Sequence, residues 1–171
     1  MIEHDVEIGA LELVSGVSIP RVVQRLTRYG AEPAADGSNV VFVAHALSGS
    51  SRALEWWDGL VGNRGLFELD RWCIVGVNVL GGCYGSTGPS SLAPDGRRWG
   101  PRFPVVTVAD MVEAQRRALR EIGIARVAVA IARASRSPSS GGASYHPPAN
   151  FGSSRIASRA VPFCPIPCAR R

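Results

Sequence analysis

The chain has 171 residues, a formal net charge of +5, 46% hydrophobic residues and 19% charged residues. This length favours one core over several domains, and no apolar run reaches the ~18 residues of a membrane span. All basic residues are arginine, and residues 1–131 hold 13 of the 19 together with all 14 acidic residues, so the positive excess belongs to residues 132–171; no cluster of basic residues interleaved with aromatics marks a nucleic-acid surface.

The chain opens Met1-Ile2-Glu3-His4-Asp5, without the basic and apolar regions of a secretory leader, and a cytoplasmic protein is expected. Leu11-Glu12-Leu13-Val14 and Val22-Val23-Gln24-Arg25-Leu26 flank Ser15-Gly16 and read as an antiparallel strand pair. Residues 32–39 form a loop by their Pro, Gly and Asn. Val40-Val41-Phe42-Val43-Ala44 is a continuous apolar run, the pattern of a strand covered on both faces, as in parallel sheets. Residues 73–78 and 126–131 repeat it, and the three are expected as neighbouring parallel strands.

A helix over about 108–121 lies between the last two runs. Thr107 is placed to cap it, with Asp110 three residues on, near the capping-box pattern. Val108, Met111, Val112, Ala118, Leu119 and Ile122 recur at helical spacing, and Gly123 stops it. Strand, loop, helix and strand make a βαβ unit with a right-handed crossover.

The four cysteines do not make a framework. Cys73 and Cys83 read as buried thiols. Cys164 and Cys168 flank Pro-Ile-Pro; a zinc site there needs two more ligands and has only His146 nearby, so no metal is expected.

Two segments carry chemistry. Ala44-His45-Ala46-Leu47-Ser48-Gly49 leaves the first buried run, and alone it reads as an ordinary loop with a structural histidine. Asn78 to Pro89 leaves the second run with Gly81, Gly82, Gly85 and Gly88, which let backbone approach a ligand closely. It lies at the carboxyl edge, where open α/β sheets bind ligands. It lacks a P-loop lysine and the dinucleotide glycine spacing, so phosphate cradling is disfavoured.

Asn78-Val79-Leu80-Gly81-Gly82-Cys83-Tyr84-Gly85-Ser86-Thr87-Gly88-Pro89, taken with His45-Ala46-Leu47-Ser48-Gly49, resembles the homoserine O-acetyltransferases, acyltransferases of the α/β-hydrolase fold. Trp56-Trp57-Asp58-Gly59-Leu60-Val61-Gly62 and Phe103-Pro104-Val105-Val106-Thr107-Val108 add to the match, which covers roughly residues 5–131. A complete hydrolase core of this kind takes ~200–250 residues. The expected architecture is therefore an incomplete α/β-hydrolase fold over residues 1–131, mostly parallel with an antiparallel N-terminal strand pair.

The resemblance implies acetyl transfer from acetyl-CoA to homoserine through a serine nucleophile, in methionine biosynthesis, with acetyl-CoA as co-substrate and no bound cofactor. It gives the backbone N–H of Leu47 to an oxyanion hole and Asn78, Gly81 and Gly82 to substrate binding. Trp56 and Trp57 are placed to line an acyl or coenzyme tunnel, but at least one of them is expected to be plain core, since adjacent large aromatics usually pack. Its partners are small molecules, with no nucleic acid or membrane, and the family's homodimer is not expected of this chain. Succinyl transfer, a serine acceptor, or hydrolysis remain open alternatives, as does a non-enzymatic α/β module with a basic interaction tail.

The resemblance also implies a nucleophile elbow, Gly-Gly-Ser-x-Gly-Gly, after the third run. Here Ile131 is followed by Ala132-Arg133-Ala134-Ser135-Arg136-Ser137. Ser135 is displaced by one position, and Arg133 stands where the crowded strand-to-helix turn needs a small residue. No segment matches the Asp and His of a triad. Residues 132–171 contain no acidic residue and are dominated by Ser, Ala, Arg, Pro and Gly, a composition that reads as disorder. In a lysine-free chain this switch reads as out-of-frame sequence, and an inactive fragment is expected.

Overall fold

The structure, a computed structural model, describes residues 1–46, 49–57, 59 and 65–132. Five strands form one sheet: β1 (Ile2–Glu12), β2 (Ser18–Gly30), β3 (Val40–Ala44), β4 (Cys73–Val77) and β5 (Val129–Ala132). The helices are the single turn α1 (Ala53–Trp56) and α2 (Val108–Glu121), with a 3-10 turn at Gly100–Arg102. Strand order is β1-β2-β4-β3-β5. β3 pairs parallel with both β4 and β5, as the apolar runs require, and β2 docks antiparallel on β4. The result is a mixed α/β sheet whose parallel part carries the hairpin at one side.

The hairpin is longer than its apolar patches suggested, pairing from Ile2↔Arg28 to Glu12↔Ser18. Its outward face is charged, so apolar content understated it. Asp5 and Glu7 on β1 form ion pairs with Arg25 and Arg21 on β2. β5 begins three residues later than the apolar run at 126–131. Pairing starts where β3 offers a partner, at Val41↔Val129, while Val127 packs into the core below it and the Ala128 N–H bonds the Val40 carbonyl.

β4 is buried along its whole length. On one side Leu26, Val40, Val75 and Val77 pack with Ala118, Leu119 and Ile124 of α2 and the turn after it. On the other, Tyr29, Val41, Val43 and Ile74 pack with Ala53 and Phe67. A third cluster joins the hairpin end to the Gly loop and α2 through Leu11, Ile19, Val22, Leu80 and Ala114. Cys73 is buried, and burial pushes its thiol pKa up. Cys83 is exposed, against the expectation of a buried thiol, because it sits on the outside of the loop that leaves β4.

The helix is where the periodicity put it. Thr107 and Asp110 form a complete capping box. Asp110 is 3% exposed and does more than cap. Its carboxylate accepts from the Thr107 N–H and hydroxyl at 2.7 Å each, and from the Val14 N–H at 2.8 Å, tying the β1–β2 turn to the helix start. At the other end the Gly123 N–H bonds the Arg120 carbonyl and the Ile124 N–H bonds the Leu119 carbonyl, closing the helix on a left-handed glycine. Among the described residues no helix is long and apolar enough to cross a membrane. The disordered-tail expectation for 132–171 lies outside the described residues from 133 onward.

Burial alone would raise the Asp110 pKa, but the bonds from Thr107 and Val14 outweigh it and hold the carboxyl below its ordinary range. Its contribution to stability is therefore fully present above the unfolded carboxyl pKa, near 3.9, and is lost as pH falls through the lower folded value. Asp110→Ala should cost about 2 kcal/mol at neutral pH, from a lost cap and an orphaned Val14 N–H. Urea unfolding of the two proteins at neutral and acid pH checks this. The gap should narrow on acidification; a gap that is absent at neutral pH refutes the role.

Candidate functional site

The carboxyl ends of β3 and β4 lie side by side, so the two loops that leave them face each other. The turn after β3 is closed by the Gly49 N–H donating to the Ala46 carbonyl at 2.7 Å. His45 Nδ1 donates to the same carbonyl at 2.7 Å, while its Nε2 is buried without a hydrogen-bond partner among the described residues. Leu47, the expected oxyanion donor, and Ser48 lie outside the described residues.

The turn then passes over β4. Gly76 permits this: a Cβ there would overlap the Ser51 carbonyl. The Ser51 hydroxyl bonds Thr27 Oγ1 at 2.8 Å, and Trp56 Nε1 donates to the Ser50 carbonyl at 3.1 Å. Trp56 and Trp57 stack at 5.4 Å and, half-buried, pack against the apolar cluster around Val41 and Ile74.

The loop after β4 begins at Asn78, which is 3% exposed. Its Oδ1 accepts from the Ser51 N–H at 2.6 Å, and its Nδ2 donates to the Tyr84 carbonyl at 2.6 Å. Its backbone is held as well: the Asn78 N–H bonds the Arg25 carbonyl at 2.9 Å, and the Asn78 carbonyl accepts from Ser86 Oγ at 3.1 Å. Beyond it the loop runs along β2, where β4 has ended. The Thr87 N–H donates to the Val23 carbonyl, the Val23 N–H to Thr87 Oγ1, and the Arg25 N–H to Ser86 Oγ. Gly85, at φ +97°, lies flat on the Arg25 guanidinium, which Asp5 holds through two bonds of 2.6 Å.

Gly81 and Gly82 line a cleft of about 240 Å³ between the two loops, with His45, Gly49, Val106 and Met111. Its walls are mainly apolar. Asn78, Cys83 and Tyr84 separate it from a second, charged cleft of about 370 Å³ that contains Glu3, Arg25, Arg52 and Glu55. The charges in the second cleft are already paired: Arg52 bonds Glu3 at 2.8 Å and Glu55 at 3.2 Å. The hydrogen bond from Arg52 holds the Glu3 carboxyl below its ordinary range, as that from Arg25 does for Asp5. Tyr29 lies below this cluster, and burial raises its phenol to about 12.

The structure therefore brings Asn78, Gly81 and Gly82 to one cleft beside His45. The displaced Ser135 lies outside the described residues, and among the described residues no group of three or more His, Cys, Asp or Glu is placed to hold a metal. Ser51 carries no signal in the sequence, and Ser86 and Thr87 stand there only as members of the Gly loop. Each works through a partner distant in the chain, and single Ser or Thr residues in loops carry no periodic signal.

No protein-family model matches the chain. Among curated proteins, the chain is 47% identical over 136 residues to homoserine O-acetyltransferase of Mycolicibacterium smegmatis, covering 74% of this chain and 36% of that protein. It is 48% identical over the same length to homoserine O-acetyltransferase of Mycobacterium ulcerans, with the same coverage. The chain thus spans about a third of the length of the curated relatives it matches. Among solved structures, esterase E22 superposes with a TM-score of 0.69 at 28% identity, covering 78% of this chain and 40% of that one. The homoserine O-acetyltransferase of Bacillus anthracis superposes with a TM-score of 0.68 at 23% identity, covering 77% and 39%, and shares the fold.

The crossing of Ser51 over Gly76 gives a direct test of the site's construction. Gly76→Ala should push the turn off β4 and destabilise the protein by more than about 2 kcal/mol, since the methyl meets backbone and not a side chain that can rotate away. Chemical denaturation measures it. Unchanged stability would mean that the turn does not lie on β4 as described.

Proposed function

The chain is homologous to the homoserine O-acetyltransferases, and on that premise we propose that its folded part is the oxyanion side of an acyl-transfer site. The observation that carries this reading is the cleft between the turn after β3 and the Gly loop after β4, at the carboxyl edge of the parallel strands. In this reading the Leu47 N–H and a second backbone N–H receive the oxygen of the tetrahedral intermediate, each being aimed where negative charge develops. The apolar walls exclude water around the acyl group, and Gly81 and Gly82 let backbone approach it.

The reaction proposed for the whole enzyme has two steps. A serine Oγ attacks the acetyl-CoA thioester, an ester bond forms as the carbon–sulfur bond breaks, and the coenzyme thiol leaves with a proton. The homoserine hydroxyl then attacks the acyl-serine; its proton passes to a histidine and on to the released serine. Water in place of homoserine would make the same site an esterase. The 28% identity to esterase E22 over 78% of the chain favours this as the second reading.

In the 171-residue polypeptide no Gly-Gly-Ser-x-Gly-Gly sequence follows Ile131. Arg133 and the one-residue displacement of Ser135 deny it a nucleophile, and no Asp–His pair matches a triad. We expect no homoserine-dependent release of free CoA from acetyl-CoA by the purified protein. Loss of triad members in a serine enzyme removes about 10⁴–10⁶ of the rate. The assay is thiol release with homoserine present, with water as the only acceptor, and with Ser135→Ala. Turnover that needs homoserine and disappears in Ser135→Ala would make the displaced serine a working nucleophile and overturn this expectation. Turnover without homoserine would support the esterase reading.

A further inference from the structure

Among the described residues, the side chain of Asn78 is the one group that touches both loops of the cleft with hydrogen bonds at each end. Its carboxamide is planar, with an acceptor and a donor about 2 Å apart. The acceptor is taken by the Ser51 N–H and the donor by the Tyr84 carbonyl, both at 2.6 Å. The residue is 3% exposed, and each end of its carboxamide already carries a hydrogen bond to one loop. Its own N–H and carbonyl are fixed by Arg25 and Ser86, which set the root of the side chain on β2 and on the far limb of the Gly loop.

We propose that Asn78 is a positioning residue that fixes the spacing between the turn after β3 and the Gly loop, and does not itself contact substrate. The proposal deepens the acyl-transfer reading and rests on it for its functional meaning: the turn is the segment given the Leu47 oxyanion N–H. Donor and acceptor must sit on one short side chain. Aspartate supplies two acceptors, serine is too short to span both loops, and leucine leaves a buried N–H and a buried carbonyl unpaired. Ser51 is also gripped by Thr27 Oγ1 and by its seat over Gly76, so the turn has a fixed floor, and Asn78 sets its lateral position.

Asparagine's two ends can be separated by experiment. Site-resolved amide exchange on the full 171-residue chain, with no ligand present, reads the Ser51 N–H for the turn and the Gly81 and Thr87 N–H groups for the Gly loop. In the unsubstituted protein Ser51 should be the most protected amide of residues 49–51. Asn78→Asp keeps an acceptor for Ser51 but sets a carboxylate against the Tyr84 carbonyl. Gly81 and Thr87 should exchange on the order of tenfold faster while Ser51 stays protected. Asn78→Ala should release both loops by a similar factor. Equal effects of the two substitutions, or a Ser51 N–H that exchanges freely in the unsubstituted protein, would overturn the proposal; the second result stands even if both variants fail to fold. Acetyl-CoA added to the unsubstituted protein tests the underlying reading separately. Amide shifts at Gly49, Gly81 and Gly82 support it. An undisturbed spectrum, with the exchange pattern intact, would sink the acyl-transfer reading and leave the clamp standing.

Discussion

Everything at the site depends on β4, a five-residue strand with no exposed side chain. A strand covered on both faces must find hydrogen-bond partners on both edges, because an unpaired buried amide costs about 1–3 kcal/mol. β2 supplies one edge in antiparallel sense and β3 the other in parallel sense. That double pairing forces the carboxyl ends of β3 and β4 together, so their exit loops meet. The cleft is a consequence of that placement, and the loops have only to keep from filling it.

Glycine and asparagine keep it open in different ways. Gly76 is a space requirement, because the backbone of Ser51 lies where a side chain would stand. Asn78 is a bonding requirement, because one donor and one acceptor must be met in the dry interior. The loop beyond it is anchored by backbone and hydroxyl bonds to β2, from Val23 to Arg25, in the register that β4 has vacated. It behaves as a short extension of the sheet. This gives the Gly loop a fixed path despite its content of conformationally free residues.

The charged residues hold the periphery. Asp5–Arg25 and Glu7–Arg21 lace the outer face of the hairpin, and Glu113 binds Arg116 and Arg117 on α2. Arg116 pulls the Glu113 carboxyl down to about 2, with Arg117 adding to the effect. Exposed pairs of this kind contribute little each. Arg25 differs in being shared: its guanidinium is the floor under Gly85, and its carbonyl receives the Asn78 N–H. The ion pair with Asp5 thereby steadies the loop that forms one wall of the cleft.

The sequence by itself determined the parallel strands, through three runs of apolar residues, although β5 alternates half-buried and exposed residues and is not covered on both faces as its run suggested, and the helix, through its period and the Thr107–Asp110 cap. It also pointed to the Gly loop and to the kinship with homoserine O-acetyltransferases, because both are written in contiguous residues. It understated the hairpin, whose outer face is stabilised by cross-strand ion pairs and not by apolar residues, and it set Cys83 inside when the loop turns it out. Only the tertiary structure decided that β2 lies against β4, that Ser51 crosses Gly76, and that Asn78 is bonded at both ends between the loops. The Ser51–Asn78 bond joins residues 27 positions apart, and of these contacts only the Asn78–Tyr84 bond is local, at 6. Local periodicity and propensity act over a few residues, whereas such pairings are chosen by which surfaces the whole sheet can bury.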